Sequence, residues 1–170
     1  GTGAAVLTNY SLRIPMADAL GAGGETVTVQ GSGNTVWFDA TRERDGRLAD
    51  DVTYTFTASN DVVFNGTAAR AGFDGAGTVN YAGTISGNGS LVKNGAGDAV
   101  LQNASTFVGG VQVNAGRLLV GDDSRLGNAA NAVTIGGGYL ANVAGTSVSS
   151  ARGIQVTAGG FDVQDSEMTL

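Results

Sequence analysis

The chain has 170 residues, 15 of them acidic and nine basic, a net charge of −6, and neither cysteine nor histidine. That composition excludes disulfides, thiolate metal sites, Ser-His-Asp triads and His-ligated metals, so no cofactor or metal is expected. The acidic surplus, with Lys93 as the single lysine, also sets nucleic acid aside as a partner.

No stretch reaches the roughly 20 apolar residues of a transmembrane helix, and residues 1–20 lack the basic-then-apolar order of a signal peptide. The chain therefore reads as a piece of a longer one. Glycine supplies 29 residues, about 17% against a usual ~7%, while proline occurs once. Apolar triplets alternate with Gly/Asn turns, a pattern of short strands and tight corners rather than of disorder.

In chain order, the first strand signals are Val27–Val29 and Val36–Phe38, separated by a turn at Gly31–Gly33. Positions 41–51 follow, with Arg42, Glu43, Arg44, Asp45, Arg47, Asp50 and Asp51. This concentration of charge around an Asp45-Gly46 turn predicts a protruding loop and a candidate contact surface. Next come Tyr54–Phe56 and Val62–Phe64. Thr53, Thr55 and Thr57 alternate with Tyr54 and Phe56, as expected of a half-exposed strand.

A longer phrase then repeats. Val111–Val120, Val133–Asn142 and Ile154–Val163 each read as an apolar triplet, a Gly-bearing turn and a second apolar triplet, and their starts lie 22 and 21 residues apart. Such a unit cannot bury its apolar face alone, whereas stacked copies build one continuous core. Stacking predicts a ladder of Val113, Ile135 and Val156 and another of Leu118, Leu140 and Phe161. An antiparallel sandwich also spaces its strands closely, but it uses longer strands and does not repeat a strand-turn-strand phrase at a fixed interval. The fold class expected is all-β, a parallel β-helix.

The stretch from Gly83 to Gly121 resembles the passenger-associated repeat of bacterial autotransporters. Gly83, Ile85, Gly87, Gly89, Leu91, Lys93, Gly95, Gly97 and Leu101 fall on its pattern G-x-I-x-G-x-G-x-L-x-K-x-G-x-G-T-L-x-L. Thr106, Phe107, Gly109, Val113, Gly116, Leu118 and Val120 continue it. Asp98 and Ala99 depart from the pattern's Thr and Leu and are expected to weaken the start of one strand, while Ser105, Phe107 and Val111 keep the side-chain class.

The resemblance implies a right-handed β-helical passenger, exported through a C-terminal β-barrel translocator absent from this chain and displayed on the bacterial surface or secreted. Three parts are expected: divergent rungs over 1–80, repeat rungs over 81–142, and a further truncated rung over 143–170. Chemistry is not expected of them. Asp122-Asp123 reads as a solvated pair rather than a calcium site. Asn94–Asp98 misses the register of the calcium-binding nonapeptide. Asp98, Asp122 and Asp162 fall at different repeat positions, unlike the phased carboxylates of β-helical polysaccharide hydrolases.

Tyr10, Trp37, Tyr54 and Tyr139 are read as core or rung-edge aromatics before glycan platforms. The function expected is a non-enzymatic adhesin or stalk that meets a host or neighbouring-cell surface, a matrix protein or a glycan. Open ends give a route to self-association, and the repeat aids folding and transport. The alternatives are a polysaccharide-degrading fragment and a pure spacer.

Overall fold

Alternation within strands of two to ten residues decides which side of the chain is buried. In Val27–Gln30 the two valines are buried while Thr28 and Gln30 are half-buried, and in Val111–Val113 only Gln112 faces solvent. The computed structural model describes residues 5–7, 11–17, 19–20, 25–30, 32–41, 54–66 and 68–170. Its strands are β1 (Ala5–Leu7), β2 (Leu12–Ile14), β3 (Val27–Gln30), β4 (Thr35–Asp39), β5 (Thr55–Ala58), β6 (Val62–Asn65), β7 (Arg70–Asp74), β8 (Thr78–Tyr81) and β9 (Ile85–Gly87). There follow β10 (Ser90–Lys93), β11 (Asp98–Leu101), β12 (Val111–Val113), β13 (Arg117–Val120), β14 (Val133–Asn142), β15 (Val148–Ser149), β16 (Ile154–Asp162) and β17 (Met168–Thr169), with one 3₁₀ turn, Asp123–Leu126, before β14.

The described strands pair in parallel with the equivalent strand of the next turn, which makes a β-solenoid. One face is a sheet in the order β1-β3-β6-β9. The other two faces belong to a single sheet, β2-β4-β7-β10-β12-β14-β13-β11-β8-β5, because β14 runs unbroken around a corner and pairs with β12 by its first half and β13 by its second. β16 follows β14 around the same corner, with register shifts between Ile135 and Gly136 and between Gly136 and Tyr139. The β-helix expected from the repeat is the fold that forms.

Register builds the ladders. Ile14, Phe38, Phe73, Lys93, Val113, Ile135 and Val156 stack in one row, and Phe56, Val79, Ala99, Leu118, Leu140 and Phe161 in another. Val113, Ile135, Leu118 and Leu140 are almost fully buried. In β16 Val156 and Phe161 occupy the same rows but are 44% and 37% exposed, because no described strand pairs with its far side. In the thick part of the core the Phe38 and Phe73 rings stack at 5.4 Å, and Tyr81 meets Phe73 edge-on at 5.3 Å. Each such fully buried side chain contributes roughly 1.5–3 kcal/mol.

One corner holds more chain than its equivalent in the next turn. Phe73 to Val79 takes six residues, whereas their register partners Phe38 to Phe56 are 18 apart, and the surplus falls between Thr41 and Tyr54. Both rims are tied in, since Ala40 N donates to Asp74 O at 2.9 Å and Thr78 N to Tyr54 O at 2.7 Å. Arg42, Glu43, Arg44, Asp45, Arg47, Asp50 and Asp51 themselves lie outside the described residues, as do Tyr10 and Thr53.

Candidate functional site: the repeat corner and its clasps

Lys93 ends β10 at an inward position, between Phe73 and Val113, and is 1% exposed. An ammonium in that row is tolerated only if its donors are satisfied. They are, because Nζ bends to the corner and donates to the carbonyls of Asn94, Gly95 (2.9 Å) and, one turn on, Ala115 (3.3 Å). Burial pushes its pKa down to about 8, opposed by the nearby carboxylates of Asp74 and Asp98. The motif lysine thus ties together the Gly-rich corners of two successive turns. A burial signal was missing from the sequence, since lysine is ordinarily solvated.

The corner has room for this only because it is bare. Gly116 adopts φ +62°, and a Cβ there would lie 2.1 Å from Gly97 O, 2.5 Å from Gly95 O and 2.7 Å from Lys93 Nζ. Beside it Asn114 Nδ2 donates to Asn94 Oδ1 at 2.9 Å, linking the same two turns. Ile85, Leu91, Leu101, Phe107, Val113, Leu118 and Val120, the apolar positions of the motif, all lie in the core. Thr106 is exposed but its N–H donates to Ile85 O at 2.9 Å, and Gly109 N donates to Asn131 Oδ1 at 3.2 Å.

The two departures from the motif behave differently from expectation. β11 starts cleanly at Asp98, whose carboxylate takes Arg117 Nε at 2.9 Å and Nη2 at 2.6 Å, while Ala99 sits fully buried between Val79 and Leu118. Arg117 Nη1 also reaches Asp162 at 2.9 Å. Spacing in the sequence separates Asp98 from Asp162, yet the fold gathers both on one guanidinium beside the exposed Tyr139 and Phe161. These hydrogen bonds raise the Arg117 pKa further above its ordinary value, and the cluster is an ion triad in which one guanidinium engages two carboxylates. It offers no free acid-base pair.

Asp122 and Asp123 have separate duties. Asp122 caps the 3₁₀ turn, accepting from Ser124 N at 2.9 Å. Asp123 is held side-on by Nε and Nη2 of Arg152, which arrives from the next turn with its side chain 1% exposed. The same guanidinium donates to the carbonyls of Leu126 (3.3 Å), Asn128 (3.1 Å) and Asn131 (3.2 Å), so one side chain closes the whole 123–131 loop. Arg152 carried no sequence signal, because an arginine after a Ser-rich stretch reads as surface. On the other flank Arg13 Nη1 donates to Asp39 at 2.7 Å and Asp74 at 3.1 Å, and the Arg13 Cζ lies 5.2 Å from the centroid of the Trp37 ring. Tyr54 is half-buried, its hydroxyl donating to Pro15 O at 2.6 Å.

Ladders of short parallel strands, Gly-rich corners tied by an inward lysine and arginine-clasped loops define a parallel β-solenoid of stacked repeats. Residues 91–120 match the model of the passenger-associated-transport-repeat family. A curated relative, the "Adhesin BmaC autotransporter" of Brucella suis biovar 1 (strain 1330), is 34% identical over 124 residues, which is 73% of this chain and 4% of that protein. The chain therefore carries an autotransporter passenger repeat, and it spans a small fraction of the length of the relative it matches. No solved structure matches it.

Proposed function

We propose that the chain is a non-catalytic, surface-exposed stretch of an autotransporter passenger, serving as a stalk with adhesive surfaces, and that residues 83–121 promote folding and transport across the outer membrane. The observation that carries this reading is the repeat match at 91–120, lying where β10 to β14 are paired on both sides and Lys93 joins two corners. A segment whose contacts are mostly to the adjacent turn folds locally and templates its neighbours, so it resists sliding back through a translocator. The name of the relative supports an adhesive role; in this reading the partner is a host or neighbouring-cell surface, a matrix protein or a glycan, and the charged loop at 41–51 is the contact element. The same reading treats 1–80, 81–142 and 143–170 as successive parts of the stack.

The test uses the full-length protein in its own cell envelope. Leu118→Asp is expected to lower protease-accessible passenger at the surface while the membrane-embedded part is retained; normal display would overturn the transport role. Replacing Arg42, Arg44 and Arg47 with Ser is expected to weaken attachment to cells or matrix with display unchanged. Attachment indifferent to that change would move the contact surface elsewhere, and a passenger that attaches to nothing would favour the spacer reading. Polysaccharide turnover lost on Asp98→Asn would overturn the non-catalytic reading.

A further inference from the structure

The lateral face formed by β4, β7, β10, β12 and β14 carries two outward rows. One holds Thr35, Arg70 and Ser90, and the other holds Trp37, Gly72, Val92, Gln112 and Thr134. The first row loses its bulk beyond Ser90, where Gly110 and Ala132 precede Val111 and Val133. There a groove of about 330 Å³ opens, walled by Arg70, Ser90, Gln112 and Thr134 and floored by Val92. Among the described residues no carboxylate lines it.

We propose that this groove binds a saccharide bearing an anionic substituent, a carboxylate or a sulfate. Among the described residues, every other cationic side chain is engaged: Arg13, Arg117 and Arg152 by carboxylates, Lys93 and Arg125 by carbonyls. The Arg70 guanidinium has no such partner, and neither do the side chains of Ser90, Gln112 and Thr134 beside it. A planar guanidinium takes a carboxylate or sulfate through two parallel hydrogen bonds. The amide and two hydroxyls match ring hydroxyls.

A peptide strand is a poorer fit for this face. β7, β10 and β12 are hydrogen-bonded to strands on both sides, so no backbone edge is free for strand addition and recognition must pass through side chains. The inference deepens the adhesive reading by giving it a ligand class, and rests on that reading only for access to the surface.

The experiment titrates the 170-residue chain by calorimetry with three probes: a hyaluronan hexasaccharide (carboxylate only), a heparin-derived hexasaccharide (carboxylate and sulfate) and neutral maltohexaose. Binding of at least one acidic probe and not of maltohexaose is expected, with the stronger acidic arm identifying the anion. Arg70→Ala, at an unchanged unfolding midpoint, is expected to weaken it about tenfold or more, as loss of a charge-assisted pair does. Gln112→Ala is expected to weaken it less, and Thr57→Ala, on another face, to leave it unchanged. Absence of binding to both acidic probes, equal binding of maltohexaose, or undiminished binding by Arg70→Ala would each overturn the proposal. A protein that attaches to cells yet binds neither acidic probe would sink this inference and leave the adhesive reading standing.

Discussion

Arg152 grips Asp123 across 29 residues of sequence, with Nε 2.7 Å from Oδ1 and Nη2 2.8 Å from Oδ2. The guanidinium is buried and the carboxylate side chain is 25% exposed, so the two partners are not equivalent. Removing the arginine takes a donor from the carbonyls of Asp123, Leu126, Asn128 and Asn131, whereas removing the carboxylate leaves a buried charge.

Both substitutions are expected to be costly. Arg152→Ala should lower unfolding free energy by about 3–5 kcal/mol, the range for breaking a buried pair from one side. Asp123→Asn, which keeps the shape and part of the hydrogen bonding, should cost less. Urea unfolding of the two variants checks the order. The Arg152 hydrogen bond holds the Asp123 carboxyl below its usual range. A depressed folded-state value means that this stabilisation is present above the unfolded carboxyl pKa and is lost as pH falls through the folded one. Acid unfolding of Arg152→Ala should therefore show a shallower loss below about pH 4.

Lys93 predicts the opposite limb. Its folded-state pKa of about 8 lies below the ordinary 10.5, so between those values the unfolded chain binds more protons and stability rises with pH, by up to roughly 3 kcal/mol. Tyr81 acts against this at higher pH. Burial first, and the Asp61 charge second, push its phenol above the ordinary 10.0, so stability falls once the unfolded tyrosine ionises. A maximum near pH 10 is expected by thermal unfolding, and Lys93→Met should flatten the rise while sparing the fall. A rise of equal size in Lys93→Met would assign it to other groups.

Gly116→Ala tests the bare corner. Positive φ and the approach to Gly97 O and Gly95 O leave no place for a methyl, and about 2 kcal/mol or more of stability should be lost. Gly145, with φ +78° but nothing within 4 Å of a Cβ, separates backbone strain from crowding, and Gly145→Ala should cost less.

Val113→Asp tests the ladder. A carboxylate between Lys93 and Ile135 in a fully buried row would form no stack at neutral pH, and circular dichroism should report loss of strand signal. Leu118→Ala, which leaves only a cavity, should cost about 2–5 kcal/mol and retain the fold.

How much of this was legible depended on which physical signal each residue carried. Val113, Ile135 and Val156 were readable as a ladder because two-residue alternation and a 22-residue interval together specify both the inward face and the stacking partner. Lys93 was readable as a motif position but not as a core residue, because its burial depends on carbonyls supplied by the following turn. The meeting of Asp98 and Asp162 on Arg117 joins side chains from turns that are not adjacent, since Asp162 lies two turns beyond β13 and two positions along from the register partner of Arg117, a reach that no spacing rule anticipates. Arg152 and Asp123 were invisible as a pair for a similar reason, since each lies in a loop without periodicity. The exposure of Val156 and Phe161 follows from their place on β16, which pairs with β14 alone, while the alternation that marks them as inward is the same as in the buried rungs.

The corner between Thr41 and Tyr54 has an evolutionary consequence. Its two rims are hydrogen-bonded to the following turn, and register resumes beyond it at Phe56, so the ladders do not depend on what is spliced in between. Doubling the length of such an excursion adds only about 0.6 kcal/mol of closure entropy. Sequence at this position is free to change in length and composition while the scaffold beneath stays the same.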